Sequence, residues 1–141
     1  MVKRLDHIGI AVEDLEGSVK RWKDLFSLRA HQIEIIRERN IKVAQLDIEG
    51  GPSLELISSL GPESAIEKFI EKKGEGIHHI CFEVQNIQSS IEEFKKKGIR
   101  FVQDEPLRGA EDSLIAFIHP HNLNGVLIEL KQKQKKSIPD G

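Results

Sequence analysis

The chain reads as an α+β protein built from two βαβββ modules in tandem, and three observations predict this. His7-Ile8-Gly9-Ile10-Ala11-Val12 returns as His79-Ile80-Cys81-Phe82-Glu83-Val84, about 72 residues on. The segment after each motif returns too: Asp14-Leu15 with Ser18, Trp22 and Lys23 is matched by Asn86-Ile87 with Ser90, Phe94 and Lys95. The module ends correspond as well, because Leu54-Glu55-Leu56-Ile57 is echoed by Ile128-Glu129-Leu130.

The elements come in order along the chain. Val2 to Val12 alternates apolar Ile8, Ile10 and Val12 with small or polar residues, the period of a strand. Asp14 is placed to cap a helix whose apolar positions Leu15, Val19, Trp22, Leu25 and Phe26 fall at helical spacing. Strands are expected at 31–37, 42–48 and 53–57, with Gly50-Gly51-Pro52 breaking the last hairpin. Gly61-Pro62 opens a helix over 63–73 that closes at Gly74-Glu75-Gly76 and has no counterpart in the second copy. The second module repeats the order: a strand over 77–84, a helix over 87–97 stopped by Gly98, then strands near 100–103, 114–118 and 126–131. Asn124-Gly125 supplies the turn before the last strand. The expected organisation is a first module over 1–60, a linker helix over 61–76 and a second module over 77–131, one domain in all. A lysine-rich, solvated and disordered tail over 132–141, with Lys131 at its root, is expected beyond it.

Composition narrows the class of function. A net charge of −2, with 38% hydrophobic and 31% charged residues, describes an ordinary globular domain and argues against nucleic acid or a membrane surface as the main partner. No apolar run approaches the roughly 20 residues that span a bilayer, and the first residues lack a secretory pattern. The single cysteine, Cys81, permits no intrachain disulfide and suits a reducing, cytoplasmic setting. Cys81 shares the strand phase of His79 and is expected as a buried, inert thiol.

The chemistry lies in the repeat. In each copy a histidine, His7 or His79, opens the first strand, and a glutamate, Glu55 or Glu129, stands in the last. Both glutamates interrupt apolar strands, where an unpaired carboxylate costs several kcal/mol unless it is protonated, paired or bound to a metal. Two imidazoles and two carboxylates brought together by a pseudo-twofold axis would suit one divalent metal ion of the Co, Zn, Ni or Mn type. A lone histidine is more often structural than a ligand, but here four residues agree in type, order and repeat phase. Gln45 sits in an inward phase beside Val43 and is a candidate for orienting substrate or water. His119 and His121, around Pro120, are candidates for a pocket mouth. His78 is expected to face away from His79.

Over nearly its whole length, from Leu5-Asp6-His7-Ile8-Gly9-Ile10-Ala11-Val12 to Gly125-Val126-Leu127-Ile128-Glu129-Leu130, the chain resembles the vicinal oxygen chelate superfamily. The more specific stretches are Gly74-Glu75-Gly76-Ile77-His78-His79-Ile80, Asp104-Glu105-Pro106 and Ala116-Phe117-Ile118-His119-Pro120, which are similar to the superfamily's epimerases acting on methylmalonyl-CoA. The resemblance implies a curved mixed sheet, a half-barrel around a metal held by His7, Glu55, His79 and Glu129. It implies a small acyl-CoA substrate whose α-carbon is inverted through a metal-stabilised enolate, with Glu129 and Glu55 as the groups that move the proton. It also implies a homodimer. Some members carry a catalytic glutamate on the third strand, where this chain has Val43-Ala44-Gln45. The rivals are glyoxalase I, which uses the same four ligand types, and a non-catalytic binding protein of the same fold. Against glyoxalase I, the turn before the last strand reads His119-Pro120-His121-Asn122-Leu123-Asn124-Gly125 rather than an acidic Asp-Pro-Asp-Gly-like turn.

Overall fold

The computed structural model describes residues 1–134. Its first module comprises β1 (Val2–Ala11), α1 (Leu15–Phe26), β2 (Arg29–Ala30), β3 (Glu34–Ile36), β4 (Ile41–Asp47) and β5 (Ser53–Ser59). After α2 (Ala65–Lys73) come β6 (Gly76–Val84), α3 (Ile87–Lys96), β7 (Leu107–Arg108), β8 (Leu114–Ile118) and β9 (Ile128–Gln132). All strands join one mixed sheet in the order β2-β4-β5-β1-β6-β9-β8-β7, with β3 beside β4, curled into a half-barrel.

The sheet has twofold logic. β1 and β6 lie antiparallel at its centre, β5 runs parallel to β1, and β9 runs parallel to β6. β4 and β8 then add antiparallel to β5 and β9. Strand alternation sorts side chains between two faces. The convex face of the first module packs Ala44, Leu46 and Leu56 with Val12 and Leu15, covered by Trp22 of α1. The second packs Ala116, Ile118, Ile128 and Leu130 with Ile87 and Ile91 of α3. Each fully buried Leu or Ile contributes about 1.5–3 kcal/mol by leaving water.

All three helices start where capping chemistry puts them. Asp14 accepts from the Gly17 amide and Asn86 from the Ser89 amide, satisfying backbone donors that have no partner inside the helix. Helix α2 is capped by Ser64, which accepts from the Glu67 amide. It lays Ile66, Phe69 and Ile70 against Ala11, Ile41, Val43 and Ile57. Val43 and Ile57 share the strand phase of Gln45 and Glu55, so α2 fills one end of the concave face and leaves the other end to the polar residues.

Several expectations are corrected. The strand expected over 31–37 is two short pieces, β2 and β3, each pairing with β4. Residues 100–103 form only an isolated bridge, Phe101 to Ile118, and the edge strand is instead β7. Leu25 and Phe26 are exposed, because α1 runs past the convex core at its last turn. Strand β9 extends through Gln132, whose side chain accepts from the Ile87 amide, and Lys133 pairs with Asp6 and Glu83. Lys131 is buried rather than solvated: alternation places it on the same face as Glu129, and Asp6 supplies its counter-charge. The rest of the expected basic tail, 135–141, lies outside the described residues.

Candidate active site

Four strands bring the four repeat residues to one point on the concave face: β1 carries His7, β5 Glu55, β6 His79 and β9 Glu129. None is more than 5% exposed, so charge on any of them must be met from within. His7 Nε2 lies 3.0 Å from His79 Nε2, 3.1 Å from Glu129 Oε1 and 3.6 Å from Glu55 Oε2. His79 Nε2 is 3.3 Å from Glu129 Oε1.

Each ring is also held from behind. His7 Nδ1 lies 2.8 Å from Asp6 Oδ2, the separation of an N–H donating to a carboxylate, and His79 Nδ1 lies 3.0 Å from His78 Nδ1. Gly9 is the Cα partner of His79 across β1 and β6, and a Cβ at Gly9 would stand 2.6 Å from His79 Nε2 and closer still to Cε1 and Nδ1. The glycine therefore supplies the room the ring occupies. On another side His79 meets the Phe117 ring edge-on, and the Arg39 guanidinium lies over that same Phe117, 5.2 Å from its centroid.

The two carboxylates differ in surroundings although their strands match. Opposite Glu55 on β4 stands Gln45, whose amide Nε2 donates to Glu55 while its Oε1 accepts from Ser53. Opposite Glu129 on β8 stands Phe117, which offers nothing to bond. Glu129 Oε1 is thus a fully buried acceptor with no hydrogen-bond donor among the described residues. An orphaned oxygen beside two imidazole nitrogens and a second carboxylate is a donor set that fits a divalent cation.

Electrostatics agree with that fit. Burial alone would lower the pKa of His7, but the charge of Glu55 and then the Asp6 hydrogen bond outweigh it and hold the value well above the ordinary one. Burial would raise the carboxyl pKa of Glu129, yet His79 and His7 keep it well below the usual range. The cluster holds the Glu129 carboxylate ionised and draws positive charge to itself. Cys81 is a buried thiol whose pKa burial pushes up, then Glu129 further, so it stays protonated and inert as expected.

His78 is pushed down to about 3, chiefly by burial and then by the charges of His79 and Arg39. The native chain keeps it neutral where the unfolded chain binds a proton. Its contribution to stability is therefore complete above about pH 6.5 and is lost as pH falls toward 3. In denaturant titrations of metal-free protein, His78→Gln is expected to flatten the acid limb. The change is at most about 1.4 kcal/mol per pH unit, reduced by the ring's partial exposure.

A polar cavity of about 470 Å³ ends against Asp6, Gln45, Ser53 and Lys131, so it meets the hydrogen-bond partners of His7 and Glu55. His119 and His121 are not brought to the cluster by any contact: His119 Nδ1 accepts from the His121 amide, and their rings pack on each other. Among the described residues neither is hydrogen-bonded or ring-packed to the four. Asp6, Lys131 and Gly9 belong to the site although the repeat does not single them out, and His78 turns toward His79 rather than away. A signal for two of them does exist, since the residue before each repeat histidine is itself polar, Asp6 in one copy and His78 in the other.

The fold and this cluster define a class, and comparison with known proteins agrees. Residues 6–117 match the model of the glyoxalase/bleomycin resistance protein/dioxygenase superfamily, and the chain belongs to that superfamily. Among curated relatives, the mitochondrial methylmalonyl-CoA epimerase of Mus musculus is 36% identical over 130 residues, 92% of this chain and 72% of that one. The ethylmalonyl-CoA/methylmalonyl-CoA epimerase of Cereibacter sphaeroides is 34% identical over 134 residues, 94% of this chain and 99% of that one. Among solved structures, a variant of the Streptomyces coelicolor methylmalonyl-CoA epimerase in complex with 2-nitronate-propionyl-CoA superposes with a TM-score of 0.91. It is 34% identical and covers 99% of this chain and 100% of that one.

Proposed function

We propose that the chain epimerises the α-carbon of methylmalonyl-CoA, using a divalent cation held by His7, Glu55, His79 and Glu129. The observation that carries this is the convergence of two imidazoles and two carboxylates from matched strands, in a chain whose relatives are methylmalonyl-CoA epimerases. When bound, the cation supplies Lewis-acid stabilisation of negative charge developing on the thioester oxygen.

The chain's own groups do the rest. One carboxylate takes the α-proton as the C–H bond breaks and its electron pair moves toward the thioester carbonyl; a second acid returns a proton on the opposite face. Val43 and Gln45 occupy the inward positions of β4 nearest Glu55, where no acid stands, and the task falls to Glu129 and Glu55. Gln45 is suited to aim Glu55, since its amide is itself fixed by Ser53. Low solvent exposure of the cluster keeps water from competing for the proton. The cavity beside Gln45 and Lys131 is large enough for an acyl thioester end and is lined by groups that can bond it. A cytoplasmic location and a homodimer complete the reading.

The test is α-proton exchange of methylmalonyl-CoA in heavy water, followed by NMR with metal-loaded protein and a chelator-treated control. Metal-dependent exchange with inversion is expected. No exchange by protein carrying one equivalent of metal would turn the assignment to glyoxalase-type chemistry at the same ligands.

A further inference from the structure

The central strand pair slips register three times, and two of the slips fall beside a ligand histidine. On β1, Leu5 pairs with Phe82 and His7 with Cys81, which leaves Asp6 as an extra residue. On β6, Gly9 pairs with His79 and Ile10 with Ile77, which leaves His78 as the extra residue. A bulge of this kind breaks strict alternation, so two neighbours turn toward one face. Asp6 and His7 are accordingly both buried, and His78 bends back to His79. In both modules the bulged side chain meets the Nδ1 of the imidazole that comes next in the chain, at 2.8 Å from Asp6 and 3.0 Å from His78.

The partners differ in chemistry. Asp6 is a carboxylate, fixed in turn by Lys131 Nζ at 3.4 Å and Lys133 Nζ at 3.3 Å. His78 is an imidazole packed edge-on against Phe69 of α2, and it can accept from His79 only through an unprotonated Nδ1. With each ligand's Nδ1 engaged, the two Nε2 atoms face each other and Glu129.

We propose that Asp6 and His78 are positioning residues on twin bulges: they fix His7 and His79 as Nδ1–H tautomers that offer Nε2 to the cation, with carboxylate-backed His7 the stronger donor of the two. A carboxylate accepting the far N–H raises the electron density a ligating imidazole can give, whereas a neutral imidazole does so less. The inference rests on the cation reading above and assigns what that reading leaves open: how a twofold-related ligand pair is made unequal.

The experiment uses the full chain and zinc(II) alone, with affinity measured by competition against a chromophoric chelator and the fold monitored by circular dichroism. Asp6→Asn is expected to weaken zinc binding by about 10–100-fold. His78→Gln should weaken it by less. Equal losses, or no loss in a folded Asp6→Asn chain, overturn the proposal. Should Asp6→Asn fail to fold, ¹⁵N-edited NMR of zinc-loaded wild type decides. Protonated Nδ1 with zinc-bound Nε2 at both His7 and His79 supports the proposal, and Nδ1 coordination at either overturns it. Wild type that binds no zinc, by contrast, removes the cation reading itself and this inference with it.

Discussion

Substituting His79→Ala is expected to abolish turnover and strip the protein of tightly held cation while the sheet stays folded. Among the described residues, His79 faces His7, Glu129, His78, Gly9 and Phe117, and it is one of two neutralising groups beside an orphaned Glu129 oxygen. Its removal leaves that buried carboxylate with one imidazole and opens a void the size of a ring. The cavity and the uncompensated charge together cost about 1–3 kcal/mol of stability, well short of the total for a domain of this size. Bound metal counted per chain after dialysis, beside a denaturant titration, separates the two effects. Wild-type metal content in a folded variant would remove the four-ligand site from consideration.

Gly9→Ala should do comparable damage without touching a ligand. The added Cβ would lie 2.6 Å from His79 Nε2 and nearer still to Cε1 and Nδ1, all far inside contact distance. Neither side can give cheaply, since Gly9 is backbone in the central strand pair and the ring is wedged against Phe117 and His78. Either the ring swings away from Glu129 or the strands part. The expected result is about 1–3 kcal/mol of lost stability together with a cation affinity near that of His79→Ala. Full affinity with unchanged stability would mean that the ring does not rest on this glycine.

Much of this architecture is legible in the sequence because duplication writes it twice. The repeat of His7 at His79 and of Glu55 at Glu129 fixes which strands sit at the centre and which residues share a face, given period-two alternation. That same assumption hides the bulges. A register slip is a relation between strands distant in the chain, so alternation sends Asp6 and His78 outward when the structure turns both toward the ligands. Lys131 is misread for a related reason. Charge and nearness to a lysine-rich end suggest solvent, whereas strand phase with Glu129 and a counter-charge at Asp6 bury it. The failed strand over 100–103 reflects an edge too short of partners to hold a ladder, and only Phe101 keeps a bridge.

The mismatch of Gln45 and Phe117 across from the two glutamates bears on handedness. An epimerase must serve both configurations of one carbon from one cleft, and a perfectly symmetric pair of carboxylates would treat the two alike at that carbon. Here one acid is leashed by an amide and the other faces an aromatic wall. On the proposed chemistry, the overall equilibrium between the two epimers is unaffected, because an enzyme cannot alter it. The two directions nevertheless divide their barriers differently, so label from solvent enters one epimer sooner than the other.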